Sequence, residues 1–366
     1  MAEKKVSGIE TAEIVLPCPD LTETLSFFTG RLGFRLDATF PADDPAVALA
    51  SGHGLRIRLE RGGQGAPGII RLHCADPAEI ANGETSLTAP NGTRVEIVDA
   101  DPPLVLPPID QSFVVNRIGG GAWGVGRAGM GYRDLIPNRQ GGRFIASHIR
   151  IPDGGPVPDA VHFHRVRFQM IYCYRGWVDL LYEDQGPLFR IQAGDCVLQP
   201  PEIRHRVVES SPGLEVIEIG CPADHMTCID HALDLPTPDL RPDRDYSGQR
   251  FVRHRLASAS WRPWRLEGIE ARDIGIGAAT NGLAGARVIR FKGTECMPAH
   301  RHAAEFVFRF VLEGSTTLQA DGHDPQALSA GDSFVIPNGM TYGLNGCSDD
   351  LELLEVALPT NYRITM

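Results

Sequence analysis

Apolar and polar positions change period twice in the first sixty residues. TAEIVLPC (11–18) alternates with a period near two, as a half-buried strand does. DLTETLSFFTGRLGF (20–34) then places Leu21, Leu25, Phe28 and Leu32 at helical spacing, with Asp20 as N-cap and Gly33 as the stop. GFRLDATF, AVALAS and LRIRLER follow as short strands between turn residues. GIIRLHC predicts another strand, and TAPNGTRVEIV a hairpin turning at Asn91-Gly92. The order is βαβββ, an α+β domain over residues 1–100. Proline pairs at 102–103 and 107–108 mark an extended linker over 101–112.

Beyond the linker the period of two dominates, in short runs separated by turns, which predicts an all-β architecture. GGGAWGVGRAGMG (119–131) satisfies G-x-G-x-x-G twice, but the YRDLIPNRQGGRF after it is broken by proline and glycine. No helix N-terminus is available to hold a pyrophosphate, so the segment reads as strand and turn. A second linker, LDLPTPDLRPDRDYSG, lies within 233–250. Across it the chain repeats itself. YRDL at 132–135 matches ARDI at 271–274, and His162-x-His164 matches His300-x-His302. Gly176 matches Gly314, Gly194-Asp195 matches Gly331-Asp332, and Pro200 matches Pro337. The predicted domains are therefore 1–100, 113–232 and 251–366, the last two being copies of one unit.

Composition narrows the function classes. The chain has 366 residues, 42% of them hydrophobic, and a formal net charge of −11. No basic footprint for nucleic acid is present, and no run of 18 apolar residues predicts a membrane span. The opening MAEKKVSGIE is polar and lacks the apolar core of a secretion leader, so a cytoplasmic protein is expected. The 8 cysteines are too sparse for a disulfide framework and are expected to stay thiols. Lysine occurs only at 4, 5 and 292, which disfavours Schiff-base chemistry.

The candidate chemistry is a metal site. Residues i and i+2 of a strand share a face, so His162 and His164 can present two imidazoles to one ion. His205, after the Gly194-Asp195 turn and the Pro200-Pro201 pair, is the third candidate ligand. Three neutral imidazoles suit Fe, Zn, Cu or Ni and leave positions open for other ligands.

His162, His164, Gln169, Gly176, then Gly194, Pro200 and His205, resemble the two motifs of the cupin superfamily, and the repeat makes the chain look like a bicupin. The resemblance implies a mainly β fold: two double-stranded β-helix (jelly-roll) barrels. Gln169 stands where that family often has a carboxylate. It is expected to ligate weakly or to donate a hydrogen bond to a bound oxygen species, and is the catalytic candidate. The second copy supplies His300, His302, Val307 and Tyr342, a weaker second site to which Glu305 could contribute if its strand is bulged. Cupins with three histidines and no acidic ligand include thiol, diketone and ring-cleaving dioxygenases, and PAHRH…FRFVLEG (298–314) resembles the gentisate, salicylate and hydroxynaphthoate group. The resemblance thus implies an Fe(II) dioxygenase whose partners are a small chelating substrate and O₂. Two alternatives stay open: a redox-neutral Zn, Mn or Ni isomerase, hydrolase or decarboxylase, and a non-enzymatic small-molecule binding protein. Residues 9–100 resemble the vicinal-oxygen-chelate (glyoxalase-like) family, whose ligand positions fall on Glu13, Ile69 and Glu96, with His73 four residues off. Isoleucine cannot bind a metal, so a fold kept for packing, pairing or shielding is expected. Both families commonly pair through sheet edges, which leaves room for a homo-oligomer.

Other positions rank lower. Cys221, His225, Cys228 and His231 have loosely zinc-like spacing. Arg133-Asp134 and Arg272-Asp273 recur in both copies and are expected to be architectural, as an ion pair at the sheet edge. If period two holds, Ile171 and Cys173 face the barrel interior with Gln169, while Tyr172, Tyr174 and Trp177 face outward. Arg204 and Arg206 point away from the site, and Arg150 is the guess for a residue that meets an anionic substrate.

Overall fold

The computed structural model describes residues 11–41, 44–81, 83–292 and 296–366. The polar opening, with Lys4 and Lys5, lies outside them. The chain forms two compact units, 1–103 and 104–366. Among the described residues no helix is long and apolar enough to cross a membrane.

The first unit follows the predicted element order. Strand β1 (Ile14–Cys18) leads into α1 (Leu21–Ser26), where Asp20 accepts a hydrogen bond from Glu23 N at 2.9 Å as the N-cap. A π-helical turn, Phe27–Arg31, extends it, and Leu21, Phe28 and Leu32 are buried. Strands β2 (Arg35–Phe40), β3 (Val47–Gly52) and β4 (Leu55–Arg61) complete a sheet in the order β1-β4-β3-β2. Then β5 (Ile69–Cys74), α2 (Pro77–Ala81), β6 (Ser86–Thr88) and β7 (Arg94–Asp99) form a second sheet, β5-β7-β6, whose β6–β7 hairpin turns at Asn91-Gly92.

The second unit holds two β-barrels of the same design. In the first, strands Gly124–Val125, Gly131–Asp134, Ile145–Ile151, Leu214–Cys221, Phe168–Arg175 and Cys196–Leu198 form one sheet. It faces a sheet built from Phe189–Gln192, Trp177–Tyr182, His205–Ser210, His162–His164 and Thr227–Ile229. The second barrel repeats this with Leu266–Asp273, Gly285–Phe291, Glu352–Leu358, Phe306–Glu313 and Ser333–Val335 against Gln326–Ser329, Ser315–Ala320 and Tyr342–Asn345.

Each barrel borrows its edge strand from the segment that precedes the other. Val114–Asn116 pairs with Ser333–Val335 of the second barrel, and Val252–His254 pairs with Cys196–Leu198 of the first. The Gly-Asp motif of each copy clasps the arm. Asp195 accepts from Leu256 N at 2.8 Å, and Asp332 accepts from Ile118 N at 2.8 Å. Gly194 and Gly331 sit at φ +90° and +93°, and a Cβ on either would lie 2.5 Å from Leu256 or 2.8 Å from Ile118. The recurring arginine belongs to the same joint. Arg133, fully buried, donates to Asn116 Oδ1, Arg117 O and Gly331 O rather than pairing with Asp134. Its role is architectural as expected, but through neutral carbonyl and amide oxygens instead of an ion pair.

One apolar core spans both barrels, joining Phe144, Phe168, Met170 and Tyr172 to Phe306, Phe308 and Phe310. Tyr172 lies in it and Tyr174 packs on it, while Ile171 and Cys173 face the interior of the first barrel, as the period of two predicts. Trp177 instead lies on the opposite sheet, under the Arg190 guanidinium at 3.3 Å. Glu305 is also part of the joint, in ion pairs with Arg143 and Arg167 of the first copy at 3.1 Å. A further difference from expectation is a disulfide between Cys296 and Cys347, which are 51 residues apart in sequence; the other 6 cysteines are free.

Phe144 and Phe306 stack across the joint with ring centroids 4.0 Å apart. Phe144→Ala is expected to cost about 3–5 kcal/mol. Because the core and the arms are shared, it should lower one common unfolding transition of both barrels; two separate transitions in calorimetry would contradict the shared core.

Candidate metal centre

His162 and His164 stand on one short strand, and His162 lies directly opposite His205 on the next. The three rings therefore meet, with centroids 4.2 to 5.2 Å apart. Their ligand nitrogens all fall within 4.8 Å of one another, the one such cluster among the described residues. All three side chains are buried.

Hydrogen bonds aim the rings. His162 Nδ1 lies 2.8 Å from Ala160 O and His205 Nδ1 lies 2.9 Å from Ile203 O. A carbonyl only accepts, so each Nδ1 carries the proton and each Nε2 keeps its lone pair. His164 Nδ1 is held by Thr227 Oγ1 at 2.9 Å. His162 Nε2 is buried and finds no hydrogen-bond partner among the described residues. Burial and its neighbours His162 and His225 push the His164 pKa down to about 2. Burial, then the charge of Arg127, lowers that of His162. Burial, then the other two imidazoles, takes His205 well below its ordinary value. Neutral imidazoles with converging, unanswered lone pairs fit a divalent ion.

The cluster opens on a cavity of about 350 Å³. Most of its wall surface is apolar, with Ile149, Ile151, Val178, Leu180, Val207 and Val216 among the residues that form it. Its polar residues include Arg127, Glu218 and His225, none of them recognised in the sequence as part of the site. Arg127 comes from the glycine-rich segment and is ion-paired to the buried Asp159. Glu218 is half-buried in the cavity wall, and that burial raises its pKa. Gln169 does not line the cavity; its amide donates to Glu218 Oε1 at 2.6 Å. Arg150 lies over Trp123 at 3.9 Å and does not line the cavity, whereas Arg127 does. Arg204 turns outward to Asp230 at 3.2 Å, and Arg206 does not line the cavity either.

The second barrel arranges the same positions without a free lone pair. Arg309 donates to Tyr342 Oη at 2.7 Å, and that hydroxyl lies 2.9 Å from His300 Nε2. His300 Nδ1 is 2.9 Å from Pro298 O. His302 uses both nitrogens, with Nε2 3.0 Å from Ile336 O and Nδ1 accepting from Ala304 N at 3.2 Å. Glu305, engaged with the first copy, does not join them. Glu355 accepts from Arg309 at 2.6 Å, Arg287 at 2.9 Å and Tyr362 at 3.0 Å. Burial alone would raise the Glu355 pKa, but Arg309 and Arg287 outweigh it and hold the carboxylate ionised. The weaker second site is thus a closed hydrogen-bond network with a guanidinium at its centre.

The remaining candidates separate in space. Cys221 is buried in the shared core, His225 turns into the cavity beside His164, and Cys228 pairs on the strand beside Phe163. In the first unit Glu13 is engaged by Arg56 at 3.5 Å and Arg58 at 3.9 Å. Glu96 is held by Arg71 at 2.7 Å and by Arg94, and Ile69 is 61% exposed. Arginines already neutralise both carboxylates at the positions where the resemblance put ligands.

These features predict one metal ion per chain, measured by elemental analysis. His162→Ala/His164→Ala should abolish it and His300→Ala/His302→Ala should leave it; metal persisting in the first variant would move the site. They also set a pH dependence for the metal-free protein. The folded-state pKa values of the triad lie below the unfolded value of about 6.5, so the unfolded chain binds more protons below that pH. Stability is full above it and declines as pH falls toward the folded values, by up to about 1.4 kcal/mol per pH unit for each histidine. Thermal melts between pH 7 and 5 check this, and His164→Ala should flatten the slope.

Comparisons with known proteins bear on the fold. Residues 288–357, within the second barrel, match the family model described as "Cupin domain". No functionally curated protein matches the chain by sequence. Among solved structures, oxalate decarboxylase of Lactobacillus farciminis in its formate complex is similar at 14% identity and TM-score 0.52, over 71% of this chain and 91% of that one. A mutant of the Bacillus subtilis oxalate decarboxylase matches at 14% identity and TM-score 0.51, over 83% and 88%. A mutant of salicylate 1,2-dioxygenase from Pseudoaminobacter salicylatoxidans matches at 14% identity and TM-score 0.48, over 61% and 74%. Residues 288–357 are thus similar to a cupin domain, and the mainly β fold of the chain is similar to that of the oxalate decarboxylases.

Proposed function

We propose that the first barrel is the active site of a metal-dependent dioxygenase that cleaves a small chelating oxygenated substrate, such as an aromatic hydroxy acid or a diketone. The observation that carries this is the union of three buried neutral imidazoles with a mostly apolar cavity of about 350 Å³. His162, His164 and His205 would hold the ion. Bound there without a carboxylate ligand, Fe(II) would keep its full charge, polarise a chelating substrate and accept O₂ beside it.

The chain's own groups supply the rest. The apolar wall takes the apolar body of the substrate and excludes water from the polar end. Arg127, braced by Asp159, sets positive charge where an anionic group would enter. Oxalate has no apolar body, so this wall offers little to the substrate named for the similar decarboxylases.

A second reading rests on Glu218. A carboxyl with raised proton affinity in the same cavity can serve redox-neutral chemistry with Zn, Mn or Ni. The Bacillus subtilis oxalate decarboxylase, similar in fold, is described with Mn(II) centres.

Protein purified anaerobically and reconstituted with Fe(II) should consume oxygen with at least one member of a panel of catechols, aromatic hydroxy acids and β-diketones. His162→Ala should reduce that rate at least about a hundredfold. Turnover without oxygen uptake by the Zn, Mn or Ni form would transfer support to the second reading. An inert Fe(II) form across the whole panel would count decisively against a dioxygenase.

A further inference from the structure

We propose that Glu218 is the general base of the first barrel, and that Gln169 is the residue that positions it. The inference rests on the proposed chelating substrate and names the group that receives its proton.

The duplication itself provides the argument. Glu218 stands opposite Ile171 on one neighbouring strand and opposite Ser147 on the other. In the second barrel Glu355 holds the same register, but there the two opposing residues are Arg309 and Arg287. Both arginines bond to Glu355, as does Tyr362. The first barrel has kept the carboxylate and lost both cations that neutralise its counterpart. In their place an aliphatic side chain and a small hydroxyl leave room for the cavity that Glu218 lines. A half-buried carboxylate in a mostly apolar cavity, without a guanidinium partner, costs stability in a structural role, whereas a base in a substrate pocket gains proton affinity from that burial.

Gln169 fixes the orientation. Its amide donates to Oε1 at 2.6 Å, tethering one carboxylate oxygen. The titratable or charged groups whose fields couple to Glu218 are His225 and Arg127, which favour its ionised form, together with Tyr132 and Tyr182. The step is a proton transfer. The O–H bond of the substrate's chelating hydroxyl breaks, its proton goes to the carboxylate of Glu218, and the electron pair stays on the substrate oxygen. The negative charge thereby leaves Glu218 for the oxygen that faces the metal-binding histidines.

The test uses the full chain loaded anaerobically with Fe(II), and 4-nitrocatechol as a chelating probe whose visible band reports its own ionisation. Metal content and protons released to a weakly buffered medium are measured together. Glu218→Gln should keep its metal and release about one more proton per probe bound than the wild type. Gln169→Leu removes a hydrogen bond to the ionised form, so the low-pH limit of proton capture should move to higher pH. An unchanged proton count in metal-loaded Glu218→Gln would overturn the proposal while the dioxygenase reading stood. Loss of metal from that variant would also overturn it, by making Glu218 a ligand, and an unmoved limit in Gln169→Leu would remove the positioning role. A wild type that takes up no metal, or leaves the probe unbound, would remove the reading beneath the proposal and the proposal with it.

Discussion

A polar group sealed inside a β-barrel has to be answered from within, because water cannot reach it, and this constraint governs both halves of the molecule. The second barrel meets it with protein alone. Arg309, Glu355, Tyr342, His300 and Pro298 O form one chain of donors and acceptors, with both charges in direct contact. Removing one member of such a buried pair costs on the order of 3–5 kcal/mol, so each residue locks the others in place. In the first barrel the same positions hold His205, Glu218 and Ile171, and the protein leaves His162 Nε2 unanswered. A closed network and an open one have grown from the same unit. The difference turns on whether the strand opposite the conserved-register glutamate carries arginine or isoleucine.

The histidine site was legible in the sequence because it depends on local spacing. His162 and His164 are fixed to one face by strand geometry, and His205 follows from its place after the Gly194-Asp195 turn and the Pro200-Pro201 pair. Glu218 was not legible. In LEVIEIGC it alternates with Ile217 and Ile219 and reads as the solvent side of a half-buried strand. Only the closure of the barrel turns that face inward, and closure is a long-range property. Gln169 was correctly placed on the interior face, yet its partner is a carboxylate 49 residues away rather than a metal or oxygen species. Arg127 hid among glycines whose evident meaning was a turn.

The first unit shows the converse case. Its βαβββ order was readable from the change of period alone, since each element is local. Its chemistry was not, because a carboxylate at a ligand position has the same spacing whether it faces an ion or an arginine. Glu13 and Glu96 face arginines. The arginines at 56, 58, 71 and 94 alternate along strands where they pass for ordinary exposed residues.

The exchanged arms carry a consequence for synthesis on the ribosome. When residue 232 has emerged, all three histidines of the cluster have been made, but the strand Cys196–Leu198 still lacks Val252–His254 along its edge. Asp195 likewise has no Leu256 to clasp, and the apolar face carrying Phe168 and Met170 has no second barrel to cover it. A nascent first barrel therefore exposes an unpaired edge and an uncovered apolar face for the whole time that the second half takes to appear, the condition under which chains pair with their neighbours. The order of emergence thus makes the half that holds the open site wait for the half that holds the closed one.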